Sequence, residues 1–280
     1  MKINQHSIKK PFIITIASTK GGSAKSTNAA NIGAFCADNG LKTLLIDTDT
    51  QPTLSAYFAL DYVAPGGIHE FLTYQDVEPD HIISKTSLPN LDLIQSNDPT
   101  NNVSQMLRNA PDGAIRFSFL LKKLQGYDVI IVDTRGTRDI TVDMSVLAAD
   151  LLFCPILPHI LSAKEFLRGT IGMYQELQTF EAFGFKLPPL KAVPNCVDHT
   201  NDVKFVLGQL KQLFEQNLSE DKKLLDFHIP DKVAYREAAT YSLPVYRHSK
   251  SEYDIIKSLC SLLLPQFTDR FEQVQGGSNG

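Results

Sequence analysis

The stretch FIITIASTKGGSAKST, residues 12–27, constrains this chain more than any other. FIITIA is a short apolar run rich in β-branched residues and reads as a buried strand. The polar glycine pair that follows breaks it. From Lys25 onward Ala29, Ile32 and Cys36 recur at helical spacing, and Phe35 widens that face. Strand, glycine loop, helix is the context in which backbone N–H groups converge on an anion at a helix N-terminus. The loop departs from the Gly-x-x-x-x-Gly-Lys-Ser/Thr pattern. Thr19 stands at the first glycine, Ala24 at the second, and an additional Lys20 precedes Gly21 and Gly22. As a phosphate cradle, the N–H groups from Gly22 to Ser26 would bind phosphate oxygens. Lys25 would reach the β- and γ-phosphates, and Ser26, with Thr27 beside it, would ligate Mg²⁺. Alone, the loop is equally an ordinary turn with an exposed lysine. A residue at position 24 with positive φ would strain any side chain by about 1–2 kcal/mol.

Two further strand ends carry carboxylates. LLIDTDTQPTLS ends a second apolar run, and its Asp47 and Asp49, two residues apart, share one side of an extended strand. YDVIIVDTRG ends another at Asp133. Paired acids beside a phosphate loop suit Mg²⁺ organisation and water positioning, and a strand-terminal Asp suits Mg²⁺ held through water. Each also reads as a polar turn or cap. The conjunction of the three, in this order and each on its own strand end, indicates nucleotide binding.

Apolar runs at 12–17, 42–47, 91–95, 127–133, 151–156 and 190–195 read as buried strands, with a weaker one at 224–229. Helical periodicity covers 25–39, 162–182, 203–217 and 250–264, and Asn39-Gly40 is a C-cap for the first. Alternating strands and helices imply an α/β fold, a mostly parallel sheet with helices on both faces. No repeat or low-complexity linker divides the chain, so one domain over 1–280 is expected. Its core spans about 11–264, with terminal extensions at 1–10 and 265–280 and a disordered QGGSNG tail.

Composition narrows the function. The formal net charge is -4, so nucleic-acid binding needs a local basic patch. Residues 200–257 hold nine Lys/Arg and nine Asp/Glu, with no basic stripe. Cys36, Cys154, Cys196 and Cys260 are widely spaced, which suits buried thiols in a cytoplasmic protein and not a disulfide framework or zinc site. No run reaches the roughly 20 apolar residues of a membrane span.

KGGSAKST resembles the deviant phosphate-loop box, KGGxGK[ST], of the ParA/MinD family. LLIDTDTQPTLS is similar to that family's DxDxQ box, and YDVIIVDTRG to its second acidic motif. VPNCVD (193–198) and IPDKVAYREAATYSLPVYRHS (229–249) resemble the family's adenine-side segments. The resemblance covers about 11–264 and points to the ParA branch of plasmids and integrative conjugative elements. It implies a P-loop NTPase fold and an ATP hydrolase that binds ATP and Mg²⁺. It implies a homodimer closed by ATP, non-specific DNA binding and a ParB-like centromere-binding partner that stimulates hydrolysis, with association to the nucleoid.

The site roles follow from the same resemblance. Lys20 resembles the signature lysine that crosses to the partner's phosphates. Lys25 resembles the phosphate-loop lysine and Ser26 the Mg²⁺ ligand. Asp49 would position water and Asp47 would support the metal shell, with Asp133 as a further Mg²⁺ residue. Gly21, Gly22, Ser23, Ala24, Lys25, Ser26 and Thr27 would line the phosphates, and Asn195, Pro230 and Asp231 the adenine. Lys204, Lys211, Lys232, Arg236, Arg247 and Lys250 are DNA candidates by position only.

The chain departs from the family in having Ala24 for Gly and Arg135-Gly136 for Pro-Pro. Arg135 and Arg138 have three readings: stabilising hydrolysis, contacting DNA, or sitting in solvent. The alternative function is an ATP-dependent dimerising regulator or MinD-like positioning protein with little hydrolysis. A membrane cycle lacks support, because PQFTDRFEQVQGGSNG is not a basic amphipathic helix. An electron-transfer ATPase lacks a matching thiolate pair.

Overall fold

A computed structural model describes residues 10–74, 76–198 and 201–273. The expected disordered tail and most of the N-terminal extension lie outside these residues. Ten strands form one sheet: β1 (Phe12–Ile16), β2 (Thr43–Asp47), β3 (Leu60–Tyr62), β4 (Ser84–Thr86), β5 (Leu91–Ile94), β6 (Val129–Asp133), β7 (Leu151–Ile156), β8 (Leu190–Val197), β9 (Lys222–Leu224) and β10 (Ile229–Pro230). The order is β10-β8-β7-β1-β6-β2-β5-β4-β3, and β9 also pairs with β8. Among the described residues, only the β3–β4 and β4–β5 pairings are antiparallel.

The central strands bury both faces, which is why they read as unbroken apolar runs. Ile14, Ile16, Leu45, Val129 and Ile131 point one way. They pack against Phe35 and Cys36 of α1 (Lys25–Asp38) and against Leu259 of α12 (Tyr253–Leu263). Ile13, Leu44, Ile46, Ile130 and Val132 point the other way. They meet α2 (Ile68–Thr73), α4 (Asn102–Asn109), α5 (Arg116–Leu121) and α6 (Ile140–Ala148). A third cluster covers Leu152, Cys154 and Ile156 with residues of the helical run 160–183 and of α9 (Asn201–Asn217). Phe35 is fully buried, and truncating such a side chain to Ala typically costs about 3–5 kcal/mol.

Helix α1 stops where the sequence said. Asn39 Nδ2 donates to Phe35 O at 2.8 Å, and Gly40, at φ 75°, closes the turn with Leu41 N donating to Cys36 O at 3.1 Å. Elsewhere the structure refines the expectation. The weak strand at 224–229 is two short strands, β9 and β10, both on the edge of β8. The edge strand β3 and its neighbour β4 are three residues each and carry no apolar run, so nothing in the sequence marked them. The helix expected at 162–182 is a run from α7 (Ile160–Glu165) through a π-helical segment, Phe166–Ile171, to α8 (Gly172–Leu177) and a 3₁₀ turn. Among the remaining short helices are α3 (Pro79–Ile82), α10 (Val233–Thr240), α11 (Val245–His248) and α13 (Thr268–Gln273).

Register brings the site together. β1, β6 and β2 are neighbours, and Ile16 and Asp47 both pair with Asp133. The carboxyl ends of three strands therefore end level with one another, where ligands bind in open α/β sheets.

Candidate nucleotide site

The loop between β1 and α1 is held from both sides. Ser23 is buried, and its carbonyl accepts from Asn195 Nδ2 at 2.8 Å. Lys20 Nζ donates to Ser162 Oγ at 2.9 Å, and Thr19 Oγ1 lies 3.3 Å from Thr170 Oγ1 in the π-helical segment. Gly136 lies under the loop: a Cβ there would stand 2.7 Å from Gly21 Cα, so the close approach requires glycine. Ala24 is the N-cap of α1 at φ 58° and ψ 37°, the left-handed conformation. Neither a side-chain cap nor an acidic residue occupies this helix start, which leaves its N–H groups to an anion. Lys25 is 6% exposed; burial lowers its pKa, and Asp133 and Asp49 offset part of that shift.

Asp47 and Asp133 are both fully buried. Asp47 Oδ2 accepts from Ser55 N and Ser55 Oγ, each at 2.8 Å, and Oδ1 accepts from Asp49 N at 3.1 Å. Burial still pushes Asp47 up to about 6, against these hydrogen bonds. Among the described residues, neither oxygen of Asp133, both buried, has a hydrogen-bond partner. Burial and then the Asp47 charge push Asp133 well above the carboxylate range. The Ser26 hydroxyl and Lys25 stand near enough to offset part of this, the hydroxyl without hydrogen-bond geometry. Strand β2 ends at Asp47, so Asp49 lies in the following loop and strand alternation does not set its direction. The Asp49 N–H on Asp47, Asp49 Oδ1 on Gln51 N and Ser96 Oγ on Asp49 O set it instead.

An orphaned buried carboxylate beside a hydroxyl fits a hard divalent cation. Mg²⁺ takes one or two such oxygens and fills its shell with water and phosphate. The described residues hold no cluster of three or more His, Cys, Asp or Glu that could cage a metal. A cleft of about 600 Å³ opens at the opposite end of the sheet, lined by Lys10, Leu124, Asp150 and Phe183 among others, and shares no residue with this loop.

Neither Arg135 nor Arg138 sits free in solvent. Arg138 pairs with Asp143 at 3.1 Å and Glu176 at 2.7 Å. Arg135 donates to Asn101, Asp139 and Thr50. In the segments expected to line the adenine, Pro230 pairs with Val197, two residues beyond Asn195, and Asp231 N donates to Val197 O. Among the DNA candidates, Lys232 is bound to the buried Glu252, Arg247 to Asp38, and Arg236 lies 3.8 Å from Asp231. Lys204 and Lys211 on α9, and Lys250, are exposed. All four cysteines are free thiols, three of them buried. Sequence reasoning missed Ser55, Ser162 and Asp139: each acts across the fold, eight residues or more from its partner or on a capping position, and no periodicity marks them.

This geometry is that of a phosphate-loop nucleotide-binding domain. The sequence model of the family described as AAA domain matches residues 12–181, more than half of the chain, and the chain belongs to that family. Partition proteins of the ParA family are among its relatives. It is 24% identical over 238 residues to chromosome partitioning protein ParA of Caulobacter vibrioides, covering 83% of this chain and 85% of that one. It is 31% identical over 175 residues to maintenance of carboxysome distribution protein A of Synechococcus elongatus, covering 61% and 67%. The chain spans from 44% to 67% of the length of several curated relatives. The ATP complex of Cyanothece McdA superposes with a TM-score of 0.78 at 21% identity, over 92% of this chain and 97% of that one. Among the described residues no helix is long and apolar enough to cross a membrane.

Proposed function

We propose that this protein is a ParA-type ATPase that partitions DNA, of a plasmid, mobile element or chromosome. The observation that carries the reading is the meeting, at three level strand ends, of a buried Lys25, an uncapped helix start and a buried Asp133 with no partner. Lys25 and the N–H groups of residues 21–27 would hold the phosphates of ATP. Ser26 and Asp133 would hold Mg²⁺, and Asp47, engaged by Ser55, would support the shell from behind. Bound there, Mg²⁺ would neutralise charge on the phosphate oxygens. Asp49, pinned at its amide and carbonyl, would orient the attacking water. Asn195, Pro230 and Asp231 would take the adenine.

Lys20 would exchange its contact with Ser162 for the partner's phosphates when two chains close on ATP, placing positive charge where it develops. The closed dimer would bind DNA through phosphate contacts, with strong salt dependence. Lys204, Lys211 and Lys250 are the freer candidates, while Lys232, Arg236 and Arg247 would give up ion pairs to take part. A ParB-like partner would stimulate turnover, in a cytoplasmic cycle on and off the nucleoid.

The altered loop, with Ala24 where the family has glycine, favours a second reading, an ATP-dependent dimerising regulator or MinD-like positioning protein with little hydrolysis. Asp49→Ala beside Lys20→Ala, assayed for ATPase, dimerisation and DNA binding, separates the two. Asp49→Ala is expected to keep ATP-bound dimers and lose turnover, and Lys20→Ala to lose dimers. A wild-type protein without hydrolysis, even with DNA and partner, would reject the partition cycle.

A further inference from the structure

The turn after β6 does more than carry Asp133 to the phosphates. Thr134 Oγ1 donates to Ile16 O at 2.8 Å, and Thr48 donates to Asp133 O through N at 3.0 Å and Oγ1 at 2.8 Å. The ends of β1, β6 and β2 are thus tied at the backbone. The next residue, Arg135, has a side chain only 18% exposed. Its Nη1 donates to Asn101 Oδ1 at 3.0 Å and to Asp139 Oδ2 at 2.6 Å, and its Nη2 to Thr50 Oγ1 at 3.1 Å. One planar fork therefore joins three separate segments. Its anchor is rigid: Asp139 caps α6 and also accepts from Ser104 Oγ and Arg108 Nη2, each at 2.6 Å. Asn101 is held at φ 59°, a conformation that Asn tolerates better than most residues. Gly136, immediately after, is fixed by its approach to Gly21.

We infer that Arg135 is a positioning residue for hydrolysis, which pins Thr50 and with it the Asp49 backbone in register with the phosphate loop. This rests on the ATPase reading above. Ser96 holds the Asp49 carbonyl from one side and Arg135 holds the Thr50 hydroxyl from the other. The loop that bears Asp49 is thereby coupled, through residues 135 and 136, to Gly21. Both terminal nitrogens of Arg135 are already engaged, by Asp139, Asn101 and Thr50, so its role is geometric and does not require contact with the nucleotide. A lysine at 135 keeps the charge but, as a point donor, cannot span Thr50, Asn101 and Asp139 together.

The test compares Arg135→Lys, Thr50→Val and the double variant for turnover of Mg·ATP, affinity for Mg·ATP and thermal midpoint. Misplacing a reacting group by about 1 Å costs on the order of 10²-fold. Arg135→Lys is expected to lower kcat about ten- to a hundredfold with Kd held within about threefold. Thr50→Val removes only the hydroxyl and keeps the shape of the side chain; it should lower kcat about fivefold or more with an unchanged midpoint. The double variant should be no slower than Arg135→Lys, because both break one contact. Wild-type kcat in Thr50→Val, additive losses in the double variant, or parallel losses of kcat and affinity in Arg135→Lys each overturn the inference alone. Absence of turnover in the wild type overturns the ATPase reading and this inference with it.

Discussion

The ends of β2 and β6 place two carboxylates side by side in register, equally buried, and give them opposite surroundings. Asp47 has three hydrogen bonds from neutral donors, and Asp133 has none. A third carboxylate, Asp139, six residues beyond Asp133, is 7% exposed and receives two guanidinium groups and a hydroxyl. Burial raises all three. Nothing outweighs it at Asp133, Ser55 and the Asp49 amide hold Asp47 to about 6, and at Asp139 the Ser104 and Arg108 hydrogen bonds outweigh it and hold the group at about 2. Of these three acids, Asp47 and Asp139 come with their donors supplied. The one left without donors is the one a cation would complete.

Asp133→Asn should separate function from stability most widely. Mg²⁺-dependent turnover is expected to fall by at least about 100-fold. The nucleotide-free protein should melt no lower than wild type, because no protein hydrogen bond is lost and the repulsion from Asp47 that is relieved exceeds the attraction to Lys25 that is given up. A large drop in melting temperature would show Asp133 to be structural and erase the contrast with Asp47. Asp47→Ala should do the reverse. It strands Ser55 N–H and Oγ–H in a buried site, at about 1–3 kcal/mol per donor, so urea unfolding should show a loss of about 3 kcal/mol. Unchanged stability would mean that Ser55 finds other partners.

Asp139 sharpens the comparison through pH. Its folded pKa, about 2, lies below the ordinary carboxylate value, so the unfolded chain binds the proton first as pH falls. Its stabilisation is complete above about pH 4 and is lost towards pH 2, about 2 kcal/mol in all. Asp139→Asn should flatten that limb of a stability-against-pH curve. Asp47 contributes the opposite slope: its folded pKa is raised, so stability falls as pH rises from about 4 to about 6. A wild-type curve with no acid limb removed by Asp139→Asn would mean that the two guanidinium contacts do not persist in solution.

What the sequence disclosed depended on range. The central strands and α1 were legible because their apolar runs and periodicity are local, and the phosphate loop because strand, glycines and helix are contiguous. Asp47 and Asp133 were legible as strand ends, yet the difference between them was not. It arises from Ser55, which reaches back eight residues from an irregular loop. The same holds for Arg135, whose partners Thr50 and Asn101 lie 85 and 34 residues away. β3, β4 and β9 are three-residue strands whose stability comes from their neighbours and not from their own composition.

Ala24 gives the smallest effect and the most specific one. The loop holds it at φ 58°, so a strain of about 1–2 kcal/mol falls on the fold in this conformation. Ala24→Gly removes that strain but adds freedom to the unfolded chain, which returns about 0.5–1 kcal/mol. The net gain is about 0.5–1 kcal/mol, on the order of 1–3 °C in melting temperature for a chain of this length. A loop that keeps this turn with and without phosphate carries the same strain in both states, and affinity for Mg·ATP should then stay within about twofold. A tenfold tighter Kd at unchanged melting temperature would mean the reverse: the loop relaxes when empty and is forced into the left-handed turn by the ligand. Ala24 would then act as a restraint on nucleotide binding, and the pre-formed helix start described above would exist only in the complex.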